Sequence, residues 1–213
     1  MIPRPTPAGY PPTWATTPYD ASTRAALVAF KDADRRDLET VLAPMLSAAI
    51  GAALATDPQL RAVLTSGNRP VFVVPVPSSR SAVRRRGDAP LELLTRAALG
   101  PAARKGSTGQ LIFSPALRIR RRVADQAGLD HLQRAANVEH AMQVKPRWQA
   151  SICGGACLLI DDVLTTGATL AEAARALREA GSGHVRAATV AATQRRLAPS
   201  GGRLRDGDLR SKP

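Results

Sequence analysis

Apolar residues in this chain follow two rhythms, and the change from one to the other marks its elements. In residues 71–76 (VFVVPV), and again at Ala156, Leu158, Leu159 and Ile160, they run together. Short apolar runs bounded by turn residues suit strands buried on both faces of a parallel sheet. After the second run Leu170, Ala173, Ala174, Leu177 and Ala180 recur at helical spacing, with Gly181 placed as the stop. Residues 184–193 (HVRAATVAAT) then predict a returning strand. Strand, turn, helix and strand make one right-handed βαβ unit. The class this predicts is α/β, a mostly parallel sheet flanked by helices.

The remaining pattern is helical with interruptions. Ala25, Leu27, Val28 and Phe30 follow possible caps at Asp20 and Ser22. Leu38, Val41, Leu42, Met45, Ala49 and Leu54 predict a second helix over residues 34–55, ended or kinked near Ala43 by Pro44. Asp88 is placed to cap a third, with Pro90 in its first turn, Leu91, Leu94, Ala98 and Leu99 as its stripe, and Gly100-Pro101 as its end. Residues 110–119 predict a strand broken at Pro115. Residues 1–18 hold six prolines and no period, and read as a mobile arm. A domain over 19–195 and a disordered basic tail over 196–213 complete the expected organisation. These N-terminal helices cover the sheet, and both termini are flexible.

Charge changes this picture in one respect. The net charge is +13, and residues 69–149 carry fifteen Lys/Arg against five Asp/Glu, a net of +10. A central basic excess predicts an acidic or polyphosphate partner. Aromatics are only 3%, so the core must be built from Ala, Leu, Val and Ile. Cys153 and Cys157 cannot form a disulfide framework or a complete zinc site, and extended chain would hold them ~13 Å apart. Reduced thiols, and no apolar leader in the opening residues, predict a cytoplasmic protein without a membrane partner.

The chemistry concentrates in residues 158–170 (LLIDDVLTTGATL). Asp161 and Asp162 close the apolar run, and buried carboxylates are tolerable only at a strand's carboxyl end, where open α/β sheets bind ligands. Thr165, Thr166, Gly167, Ala168 and Thr169 follow, offering backbone N–H groups, hydroxyls and a helix N-terminus, a cradle suited to phosphate. Carboxylates repel phosphate, so they want sugar hydroxyls or a metal. A phosphorylated sugar is the simplest ligand that uses both halves. Ser78, Ser79 and Arg80, in the loop after the 71–76 strand, could hold a second anion, with Arg84–Arg86 as weaker candidates for it; the alternative is a solvated basic loop leading into a helix. Residues 118–137 are basic with little apolar commitment, which suits either a lid over a polyphosphate or an ordinary solvated linker.

Residues 158–170 resemble the binding motif of type I phosphoribosyltransferases, which hold phosphoribosyl pyrophosphate (PRPP). The resemblance implies a type I phosphoribosyltransferase-like fold, with the 5-phosphate on Thr165–Thr169 and the ribose hydroxyls on Asp161 and Asp162. It further implies pyrophosphate near Ser78, Ser79 and Arg80, and Mg²⁺ brought mainly by the substrate, with Asp161 or Asp162 as its protein contact. Further strings resemble the ComF family: Tyr19-Asp20, Ala26 to Lys31, Arg36-Asp37-Leu38, Val73 to Pro77, Arg86-Gly87, and Arg122, Asp125, Gln126, Leu129, Arg134 and Asn137. The last set falls in the segment read as a lid. Asp88-Ala89-Pro90 departs from the Phe-Asn-Gln common after Arg-Gly in that family. Two functions follow as expectations: a probable phosphoribosyltransferase with an unidentified acceptor, or a non-catalytic competence accessory that senses PRPP or binds single-stranded DNA during uptake. A homodimer is plausible by family analogy.

Overall fold

The computed structural model describes residues 3, 6–100, 111–120 and 140–193. Five strands form one sheet in the order β1-β7-β6-β2-β3, every neighbour parallel. These are β1 (Thr13–Pro18), β2 (Val71–Pro75), β3 (Leu111–Phe113), β6 (Ala156–Leu164) and β7 (His184–Ala192). A separate antiparallel ribbon pairs β4 (Leu117–Ile119) with β5 (Met142–Val144). Helices α1 (Ala21–Asp32), α2 (Glu39–Thr56), α3 (Pro58–Ser66), α4 (Arg80–Arg86), α5 (Pro90–Leu99), the short α6 (Gln149–Ile152) and α7 (Ala168–Glu179) complete the described elements. The expected α/β class holds, and so does the break at Pro115, which sends β3 and β4 to different sheets.

The core follows the composition. Val71, Val73, Val74, Leu158, Leu159, Ile160, Ala187, Ala188 and Val190 are fully buried in the three inner strands. Leu170, Ala173, Ala174 and Leu177 of α7 close one face over them. Their predicted helical stripe is the buried side of that helix. Alanines let α7 lie close to the sheet, so a small-residue core still packs densely.

Four expectations give way. Residues 13–18, read as part of a mobile arm, are the edge strand β1, paired with β7 from Thr13↔Ala187 to Pro18↔Ala192. Pro18 is tolerated as the last residue of an edge strand, where a missing N–H costs little. Pro44 does not end its helix, because α2 continues through it to Thr56. An interior proline costs about 3 kcal/mol. Burial of Leu42, Leu46 and Ile50, each about 1.5–3 kcal/mol, outweighs that. The helix itself starts at Glu39, after a 3₁₀ turn at Arg36–Leu38, not at residue 34. Arg36–Thr56 has the length and composition of a membrane span. Here its buried residues pack toward β1, β7 and α5. Asp88 does not cap α5; Ala89 precedes that helix with no side-chain cap, and Asp88 pairs instead with Arg36 at 2.7 Å.

At the amino end of the sheet Asp57 joins α3 to β7. Its carboxylate accepts from the Gln59 and Leu60 amides (3.1 and 2.9 Å), capping α3. It also takes His184 Nε2 at 2.9 Å and Arg186 Nε at 2.6 Å. Burial would raise Asp57, but the Leu60 amide, Arg186 and His184 outweigh it and hold the carboxyl below the ordinary range. Burial lowers His184 below an ordinary histidine, although its bond to Asp57 works the other way. Both groups therefore bind protons less readily folded than unfolded, so the unfolded chain gains as pH falls. The His184 part is lost first, as pH drops from about 6.5, and the Asp57 part only below about 4. Thermal unfolding should show a lower midpoint at about pH 5.5 than at about pH 7.5, with a smaller drop in His184→Gln. A wild-type midpoint that is flat over this interval would contradict the assignment.

Candidate functional site

Strand β6 outruns β2 at its carboxyl end, and the two acids lie at the start of that overhang, the candidate crevice. Its register with β2 ends at Pro75↔Ile160, where the Val76 amide donates to Ile160 O at 2.9 Å. Its register with β7 continues to Leu164↔Ala192. Asp161 and Asp162 thus start where β2 departs. They lie in the carboxyl-terminal part of the strand, which runs two residues past Asp162. The open edge on the β2 side still gives them the carboxyl-end crevice that the sequence argument required.

The two acids are not equivalent. Asp162 pairs with Lys31 Nζ from the last turn of α1, and its amide donates to Asp161 Oδ1 at 2.9 Å. Burial would raise Asp162, but the Lys31 ammonium outweighs it and holds the carboxyl below the ordinary range. Asp161 is pushed well above that range by burial and by the neighbouring Asp162 charge. Burial works against the Lys31 charge, yet Asp162 and Asp161 together keep its pKa above an ordinary lysine. The cluster therefore holds one firm ion pair, with Asp161 the more readily protonated carboxyl.

The turn after β6 is strapped from beneath and open in its amides. The Thr193 amide donates to Leu164 O at 2.9 Å, and its hydroxyl reaches the Leu164 and Thr165 carbonyls at 3.3 Å. Among the described residues no acceptor is paired with the Thr165, Thr166 or Gly167 amides. Gly167, at φ +78°, precedes α7, and the Ala168 amide lies 3.4 Å from Thr166 Oγ1. These are donors turned out at a helix start, the arrangement an anion needs. A Cβ on Gly167 would stand 2.8 Å from the Tyr10 ring and 3.0 Å from Pro3. The opening segment therefore packs directly on the turn. Burial raises the Tyr10 phenol to about 12.

The second predicted anion loop is a helix start. Ser78 and Ser79 follow β2 at the same sheet end, and Ser79 Oγ caps α4 by accepting from the Ala82 amide at 3.1 Å. Arg80 is the first residue of α4; its side chain lies outside the described residues. Arg84–Arg86, the weaker candidates for the same anion, lie not in a loop but in the last turn of that helix, closed by Gly87 at φ +80°. Arg122, Asp125, Gln126, Arg134 and Asn137 lie outside the described residues, as does the 196–213 segment.

Sequence reasoning missed what surrounds the acids. Lys31 is distant in sequence, and nothing local distinguishes it from a lysine ending a helix. Arg36 donates to Phe30 O and pairs with Asp88, while Arg86 Nε sits 3.1 Å from Asp32 Oδ1. On the other side Glu172, buried in α7, accepts from the Met142 amide at 2.8 Å, and Arg175 donates to Met142 O at 3.0 Å. Those two side chains fasten the start of β5 to the helix that follows the turn.

The family model of the phosphoribosyl transferase domain matches residues 119–206. That span contains β5, β6, α7 and β7, with both acids and the whole Thr165–Thr169 turn. No curated protein matches the chain. Sheet, turn and family match together support a type I phosphoribosyltransferase-like protein.

Gly167→Ala tests the turn. A left-handed backbone costs an alanine about 1–2 kcal/mol, and the methyl would also have to displace Tyr10. The unfolding midpoint should fall by about 2–8 °C. An unchanged midpoint would mean the turn does not hold this conformation.

Proposed function

We propose that this protein binds PRPP and uses it as a phosphoribosyl donor. The observation that carries this reading is the juxtaposition of two carboxylates with a turn whose amides have no described partner, at the open carboxyl end of β6. The family match over the same residues points to the same substrate class. In this reading Thr165–Thr169 hold the 5-phosphate, and Asp161 and Asp162 accept hydrogen bonds from the ribose hydroxyls. Ser78, Ser79 and Arg80, after the adjacent strand β2, face the pyrophosphate. As pyrophosphate leaves C1, positive charge grows on the ribose ring. Fixed carboxylates beside it oppose that charge without reorganising, which is usually a large catalytic effect.

Mg²⁺ fits only as an ion shared with the substrate. Among the described residues no group of three or more His, Cys, Asp or Glu side chains could hold a metal, and Asp162 is already engaged by Lys31. When bound, it would offset charge on the pyrophosphate. The ComF-type assignment is a finer proposal, supported by the strings through Lys31 and Arg36, which here fall in and after α1. A cytoplasmic setting fits the unpaired Cys153 and Cys157. The single-strand DNA reading has less to stand on, because stacking platforms need exposed aromatics. Phe72 is buried, Phe113 lies under the Arg96 guanidinium at 3.8 Å, and Trp148 packs against the core.

Calorimetry with PRPP and Mg²⁺, alongside an assay of pyrophosphate release, tests the reading. Asp161→Asn with Asp162→Asn removes charged acceptors worth about 1.5–3 kcal/mol each, so affinity should fall at least ~10-fold and pyrophosphate release should stop. Unchanged binding and turnover in a folded double variant would sink the proposal.

A further inference from the structure

We infer that Lys31 is a positioning residue of this crevice: its ammonium is the built-in counter-ion of the Asp161–Asp162 pair, fixing Asp162 where a sugar hydroxyl would meet it. The ligand named here rests on the phosphoribosyl reading, whereas the ion pair stands without it. Lys31 reaches Asp162 across 131 residues of sequence. Its side chain is 32% exposed and that of Asp162 only 14%, so the ammonium points into the crevice and not out to solvent.

The neighbourhood of Lys31 is built to place it. On one side Phe30 is buried, and Arg36 donates to its carbonyl, with the guanidinium 5.1 Å from its ring. On the other side Asp32 is held by Arg86. Arg36 in turn pairs with Asp88, tying the end of α1 to the corner between α4 and α5. These contacts hold the end of α1 on both sides of Lys31, whose ammonium meets the Asp162 carboxylate. Arg86 works weakly against the Lys31 charge and does not outweigh the two acids. Two adjacent carboxylates gain from a cation held beside them, and removing one member of a partly buried pair leaves the other uncompensated.

A double-mutant cycle separates this role from simple packing of α1. Ribose 5-phosphate is the probe, because it carries the sugar and phosphate without pyrophosphate. Lys31→Met should weaken its binding ~10-fold in the wild-type background and less than ~2-fold in Asp162→Asn, while Lys31→Arg stays within ~3-fold of wild type. The same cycle read by thermal unfolding needs no ligand: Lys31→Met should lower the midpoint in wild type and leave it nearly unchanged in Asp162→Asn. If Lys31→Met alone fails to fold, recovery of folding in the double variant is itself the expected coupling. Additive effects in the unfolding cycle would overturn the inference, as would a Lys31→Met variant indistinguishable from wild type. If wild type binds neither PRPP nor ribose 5-phosphate, the functional reading fails, and the unfolding cycle still decides the counter-ion.

Discussion

Two neighbouring carboxylates in a sheet crevice repel each other and resist desolvation, and in this protein a lysine from a different layer makes their position tenable. Much of the architecture serves that contact. Helix α1 must start at a fixed point, which the Asp20 carboxylate sets by accepting from the Thr23 amide at 2.8 Å. It must lie down on the core, which Leu27 and Phe30 accomplish. Its far end must not drift, and the pairs Arg36–Asp88 and Arg86–Asp32 hold it. Strand β2 must also stop one pairing short of the acids, or the crevice would be filled by another strand.

The two ends of β7 show how similar chemistry can be spent differently. At the amino end Asp57, His184 and Arg186 form a cluster in which the carboxylate already accepts from two amides, a ring nitrogen and a guanidinium. Nothing is left over for a ligand, and the cluster ties α3 to the sheet. At the carboxyl end Thr193 satisfies the Leu164 and Thr165 carbonyls but leaves the turn's amides without a described partner. Amides without a described partner beside two acids single out this end of the sheet as the candidate site.

What the residue pattern could convey was the part encoded locally. Buried strands β2, β6 and β7, helix α7 with its Gly181 stop, and the acid–turn stretch all have short-range signatures: an apolar run, a period, a capping glycine. Strand β1 was missed because six prolines across the arm outweighed the β-forming Thr-Trp-Ala-Thr-Thr between them, and its pairing partner lies at the opposite end of the chain. Pro44 misled for the opposite reason: a local rule was applied where burial against β1, β7 and α5 decides. The cation facing Asp162 had no local signature at all. A charge that closes a helix looks the same whether it points to solvent or to an acid pair more than a hundred residues away.

The contact of Tyr10 and Pro3 with Gly167 has a practical reach. It places the start of the polypeptide against the very bend that faces the crevice, with Arg178 gripping the Gly9 carbonyl at 2.5 Å further along α7. A spectroscopic label placed at position 10 would therefore report directly on this bend.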